Sequence, residues 1–505
     1  MKEDLKVLKD LLKEYAKAES VQALVQWDQE TYMPEKAGEF RSEQLAWLSA
    51  LAHEIHTGKR FKNALEKLVD LNTGHILNDE SDEETTRLLH LVWKDYHYAS
   101  VLPASFVEEF SRLTSQSQQV WAKARVNNDF KAFQPYLEKI VDMCRKQADY
   151  YGYTTTPYDA LMEQYEPGMT TETVTALFSE LKEGLIKLLD NIKNSGDKPD
   201  DHLLKKSFDT AHQWAFGLEV VQKLGYDMSR GRQDRSAHPF TTGFHPTDVR
   251  ITTRVFENDM KSAFFSTVHE AGHAMYEQGL PPEHFGTPFG QAASYGIHES
   301  QSRLWENMIG RSLSFWKHFY PRLKELFPVL QNTLVDDFYR MINTVEPSLI
   351  RVEADEVTYS LHIMLRFEIE KMLINDGLNV SDLPEIWNEK MKEYLGVVPP
   401  DDKMGVMQDV HWSMGAVGYF PSYALGNLYA AQFLNQAVKD HPDFWDIIRA
   451  GEFTILLNWL RKNVHTLGRR KDPLDLVKSV TGEKLSPQPF LKYLNEKYKV
   501  IYKLL

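Results

Sequence analysis

Apolar positions recur every three to four residues through most of the chain, with charged residues filling the gaps. The pattern runs through Lys2–Ala50, Ser105–Gly152, Thr170–Ser195, Val329–Thr344, Glu353–Asn375 and Asp443–Leu467. That spacing predicts amphipathic helices, each with one buried face. Turn-forming words separate the segments, among them Tyr165-Glu-Pro-Gly168, Gly279-Leu-Pro-Pro282 and Val397-Val-Pro-Pro400. One stretch breaks the helical period. In Phe244–Phe256, FHPTDVRITTRVF, Val249, Ile251 and Val255 stand among polar neighbours, which predicts one or two short strands. No repeat of fixed period and no low-complexity linker marks a boundary. Residues 1–505 therefore read as a single, mostly α-helical unit with a small sheet.

Composition narrows the class without naming a chemistry. Hydrophobic residues make up 42% and charged residues 26% of 505, the balance of an ordinary globular chain that can bury a large core. No apolar run approaches the roughly 20 residues that cross a bilayer. The opening MKEDLKVLKDLLKEYAKAE mixes both charges into its apolar positions and reads as a surface helix, not a secretion signal. One cysteine, Cys144, rules out an internal disulfide and fits a reducing, cytoplasmic setting. A net charge of −14 argues against a nucleic-acid partner, whose binding rests on a surplus of lysine and arginine.

Chemistry concentrates in VHEAGHAMYEQGL, residues Val268 to Leu280. On a helix, His269 and His273 share one face one turn apart and can aim two imidazoles at one ion. Glu270 sits about 100° round the helix, placed to reach a water on that ion without binding the ion itself. The bland alternative is a pair of surface or satisfied core histidines. Phe264, Phe265, Val268 and Met275 make the rest of this helix apolar, and buried histidines need partners. Gly272, costly by about 1 kcal/mol in a helix interior, makes sense if another backbone passes close by.

A catalytic zinc takes three protein ligands and leaves one position open. Tyr276 and Gly279 exclude a third histidine at metzincin spacing. The turn-rich PPEHFGTPFG lets the chain reverse and lay a second helix, IHESQSRLWENMIG, beside the first. Glu299 on that helix is the best-placed third ligand. Glu283 precedes the reversal, and Glu306 lies two turns further on and is expected to be dispensable. A competing role for Glu299 is an i,i+4 ion pair with Arg303. Further along, Arg351 and Asp355 stand i,i+4 on an expected helix with Tyr359 and His362. They read either as a surface salt bridge or, if buried, as a planar fork for a peptide carboxylate. The loop from Gly405 to Asn427 carries His411 and Tyr423 among glycines and aromatic rings, either a packed aromatic loop or a substrate wall that stabilises developing charge.

The words HPF at 238–240, D-x-R-x-T at 248–252, H-E-x-x-H, H-E-S-Q, I-R-x-x-A-D and G-x-x-Q-D-x-H-W occur in that order. The chain thereby resembles the carboxypeptidase Taq family, the M32 metallopeptidases, from WDQETYMP at Trp27–Pro34 through YALGN at Tyr423–Asn427. The resemblance implies metal ligands His269, His273 and Glu299, with Glu270 as catalytic base. It implies Arg351 and Tyr423 as binders of the substrate's C-terminal carboxylate, His238 and His411 lining the site, and Asp248 and Arg250 as support. It also implies two helical halves around a deep substrate groove, similar to neurolysin and angiotensin-converting enzyme, and a homodimer. The expectation is a cytoplasmic carboxypeptidase of broad specificity that acts on peptides and uses one divalent ion per chain, zinc or else cobalt. Its rivals are an oligopeptidase cutting internally on the same scaffold and a non-catalytic helical binding protein with a vestigial metal site. A purely structural zinc site has no use for the base Glu270 and is usually closed by a fourth protein ligand.

Overall fold

The apolar periodicities fold as helices, but several are cut shorter than the pattern implies, each by a local cause. A computed structural model describes residues 2–78 and 80–504. The first segment divides into Lys2–Thr31 and Gly38–Thr57 around Met33 and Pro34. The second breaks at Asn128, which closes Ala104–Asn127 in the left-handed conformation with φ 54°. Asp129 then caps Phe130–Tyr151 through the Ala132 amide. Gly451, with φ 83°, ends Phe444–Ala450, and Thr454–Asn463 follows.

The expected helix from Glu353 is a correction. Arg351–Glu353 form only a 3₁₀ turn, and the helix begins at Tyr359. The Asp355 carboxylate accepts from the Val357 and Thr358 amides and from the Glu346 amide, so it competes locally with helix formation. Asp355 therefore does not pair with Arg351.

Among the described residues the strands form a three-stranded sheet, of which the third strand lies within the expected stretch and the second only overlaps its start. β2 (Thr241–His245) and β3 (Asp248–Thr253) pair antiparallel, with an irregularity between Gly243 and His245. β1 (Gln233–Arg235) joins β3 in parallel, outside the stretch where strands were expected. The N-terminal helices dock onto this sheet. Arg250 is bound to Asp248 by two contacts of 2.9 Å and lies 4.4 Å from the centre of the Trp27 ring. Tyr32 donates to Asp234 at 2.5 Å.

Apolar burial forms two cores. A large one runs from Ala124 to Tyr502, and a smaller one joins Leu8, Leu11, Phe61, Leu65, Leu88 and Val92 of the N-terminal helices. Each fully buried leucine or phenylalanine contributes about 1.5–3 kcal/mol. A cavity of about 710 Å³ is walled by Asp95, residues 239–241, the His269–Glu277 end of the helix Met260–Glu277, residues 291–295, His298, Glu299, Tyr419, Ser422 and Tyr423. Among the described residues, no helix is long and apolar enough to cross a membrane.

Candidate metal centre

Three helices build the centre. Met260–Glu277, capped by Asp259 through the Ser262 amide, carries both histidines and Glu270. Tyr295–Arg303 carries Glu299 and is capped by Ser294 through the Ile297 amide. It is clamped between the first helix and Pro421–Asp440 by two glycines. A Cβ on Gly272 would lie 2.7 Å from the Ser302 Cα, and one on Gly426 would lie 2.7 Å from the Glu299 Cγ. The close backbone approach expected at Gly272 is thus present. Glu166 of the Tyr165–Gly168 turn also anchors the N-terminus of the Glu299 helix, accepting from the Gly296 amide and, at 3.1 Å, from Ser294.

His269, His273 and Glu299 place one donor atom each within 4.8 Å of one another. Glu299 Oε2 lies 3.3 Å from His273 Nε2 and 3.8 Å from His269 Nε2. Tetrahedral ligands about 2.0 Å from zinc would stand roughly 3.3 Å apart, so these three fit a divalent ion. The charges fit too. Glu299 is held well below the usual carboxylate range, because Arg303 and the two imidazoles outweigh its burial. His273 is kept neutral by burial and by its neighbour His298, at about 3. His269 is also desolvated, but Glu299, Glu306 and Glu270 surround it and push it up, so the pocket favours a cation.

The two roles weighed for Glu299 fall on different oxygens and so do not exclude each other. Oε1 accepts from Arg303 Nε at 2.7 Å while Oε2 faces the histidines. Glu306 lies on a π-helical turn, Leu304–Ile309, and accepts from His269 Nδ1 at 2.8 Å. A carboxylate at that nitrogen is placed to orient the imidazole, a role that the expectation of a dispensable Glu306 did not include.

Glu270 is 8% exposed and opens on the cavity. Burial pushes its carboxyl up, against the pull of His269 and Thr241. The Thr241 hydroxyl lies 2.7 Å from Glu270 Oε2 and 2.8 Å from the Glu270 carbonyl. Thr241 sits 29 residues away and had no local signal in the sequence.

The remaining candidates divide. Tyr423 lines the cavity, and its hydroxyl lies 3.2 Å from His411 Nε2. Arg351 is buried behind Tyr423, with its guanidinium 5.0 Å from that ring. It does not present a free fork, since Nε donates to Asp409 at 3.0 Å and Nη1 to Tyr359 at 3.1 Å. Arg366 binds the other Asp409 oxygen. Two guanidiniums thus share one carboxylate. His238 is exposed and lies outside the cavity wall, although its neighbours Pro239 and Phe240 line it.

Comparison with known proteins adds the family. The family model described as carboxypeptidase Taq (M32) metallopeptidase matches residues 7–498. The chain is 44% identical to thermostable carboxypeptidase 1 of Thermus thermophilus over 505 residues, covering 98% of each. It is 41% identical to carboxypeptidase 1 of Bacillus subtilis over 496 residues, again with 98% of each covered. Among solved structures, the M32 carboxypeptidase of Deinococcus radiodurans R1 superposes with a TM-score of 0.95 at 39% identity, covering 99% of both chains. With the fold and the family match spanning nearly the whole sequence, this chain belongs to the carboxypeptidase Taq (M32) family and is a metallocarboxypeptidase.

Proposed function

We propose that the enzyme removes C-terminal residues one at a time, with broad specificity, and that 1–505 is one catalytic domain working as a cytoplasmic homodimer. His269, His273 and Glu299 would hold a single divalent ion, zinc or cobalt, as imidazole and carboxylate ligands accept both. That ion supplies a Lewis acid for the scissile carbonyl and lowers the pKa of water. Glu270, its basicity raised by burial and its carboxylate steadied by Thr241, takes a proton from the attacking water and returns it to the leaving amine. Phe240 and Tyr419 line the same cavity.

The observation that carries the exopeptidase reading is the surplus cation behind Tyr423. Arg351 and Arg366 face the single carboxylate of Asp409. A substrate carboxylate would meet the Tyr423 hydroxyl, oriented by His411, with the Arg351 charge acting from behind the ring. An internal cutter has no use for that surplus. The test is one peptide, N-acetylated, made as free acid and as C-terminal amide, with products read by mass. The free acid should yield a ladder of single-residue losses. The amide should be slower by roughly ten- to a hundredfold, the equivalent of about 1.5–3 kcal/mol for a lost hydrogen bond to a charged group. Internal fragments at equal rates from both would hand the chain to the oligopeptidase reading. Glu270→Gln should lower turnover by about a hundred- to ten-thousand-fold while metal content holds; near-normal turnover would place the base elsewhere.

A further inference from the structure

The two histidines of the centre are backed differently. His269 meets a carboxylate directly, and that carboxylate, Glu306, is held by Arg303 and Arg311 away from the cavity wall. His273 meets another imidazole. Its Nδ1 lies 2.5 Å from His298 Nδ1, and His298 Nε2 lies 2.8 Å from Glu277 Oε1. The two ring planes lie 24° from parallel, with centroids 4.5 Å apart. The His273 branch thus draws one candidate ligand and one neighbouring group from each helix. His273 and Glu277 stand one turn apart on the first, and His298 directly precedes Glu299 on the second.

Only one proton arrangement satisfies the chain of contacts with a cation bound. His273 Nε2 faces Glu299 Oε2 and must keep its lone pair for the ion. Its proton then lies on Nδ1 and can go only toward His298 Nδ1, which must accept. The His298 proton is thereby placed on Nε2, which donates to Glu277. Two neutral imidazoles and one carboxylate close the series with no donor facing a donor.

We infer that His298 and Glu277 are positioning residues that fix the tautomer and ring plane of His273. Unlike Glu306, both line the cavity, with side chains 25% and 26% exposed. This support stands in the substrate space itself. The inference rests on His273 being a ligand, so the experiment separates the two claims.

The full chain is stripped of metal and titrated with Zn²⁺ against a chromophoric chelator, in the parent and in His273→Ala, His298→Ala, His298→Asn and Glu277→Ala. His273→Ala should lose tight binding. His298→Ala should weaken zinc affinity by about ten- to a hundredfold, as loss of an outer partner does. His298→Asn places an amide oxygen where Nδ1 stood and should restore most of that loss. Glu277→Ala should fall between the parent and His298→Ala. The visible spectrum of the cobalt-loaded forms should shift in His298→Ala and return in His298→Asn. If His273→Ala keeps its metal, the ligand assignment fails. If His273→Ala loses it while His298→Ala binds like the parent, or His298→Asn is as weak as His298→Ala, the positioning role is overturned. Should His298→Ala not fold, parent-like affinity in Glu277→Ala overturns it equally.

Discussion

Glu299, buried, and Glu306, partly buried, are carboxylates on one helical run, both within reach of His269, and only their other neighbours tell them apart. Glu299 turns one oxygen to both imidazole Nε2 atoms. Glu306 touches the far side of one ring, at Nδ1, and is drawn to about 2 by the His269 hydrogen bond and by Arg303 despite its burial. Spacing in the sequence separates the two by two turns but cannot say which nitrogen each will meet, because that depends on ring rotation and on the widened turn at 304–309. Glu306→Gln should therefore keep the fold but loosen zinc by about ten- to a hundredfold, measured by chelator competition. Unchanged affinity would make it a bystander after all. The Glu299–Arg303 pair was readable from i,i+4 spacing; Thr241 and the Asp409 partner of Arg351 were not, since each comes from a distant segment.

Helices were legible as apolar stripes, and their ends less so. Asp355 delays the start of one helix and Asn128 ends another, through hydrogen bonds and backbone conformation that a periodicity count does not weigh. Gly272 was legible as a demand for a close neighbour, while the identity of that neighbour was not. The glycine pair around the Glu299 helix yields a contrast. Gly272→Ala presses on backbone, Ser302 Cα at 2.7 Å and the Gln301 carbonyl at 2.8 Å, so the two helices must part. It should cost about 1–3 kcal/mol of stability, the usual penalty of overpacking, and weaken metal binding too. Gly426→Ala presses chiefly on the Glu299 side chain, at Cγ and Cβ. It should lose metal affinity with a smaller shift in the urea midpoint. If Gly426→Ala destabilises as much and leaves zinc affinity intact, the clamp does not act on the ligand.

At the scale of the whole molecule, a buried carboxylate makes stability depend on pH. Glu370 accepts from Tyr158 at 2.7 Å, Trp412 at 2.9 Å and the Gly418 amide at 3.0 Å, tying the aromatic loop to the core. Burial nevertheless pushes it to about 7 from an ordinary 4.5. A group raised on folding lends stability that is full below the unfolded value and is lost as pH climbs through the folded one. For Glu370 that window runs from about 4.5 to 7, with up to about 3 kcal/mol at stake. The stability advantage of the parent over Glu370→Gln, from urea unfolding, should shrink between pH 5 and pH 8. An advantage that does not change would mean the three donors keep the carboxylate ionised throughout. The cavity was not legible in periodicity at all, because its walls come from segments hundreds of residues apart. The docking of the first helices on the sheet is also a contact between distant segments, and it bears on synthesis. Tyr32 and Asp234 are 202 positions apart, and a ribosome adding about 5–20 residues per second leaves roughly 10–40 s between them. For that interval the nascent chain carries Trp27 with no sheet to cover it, a surface for chaperones to shield until β3 emerges.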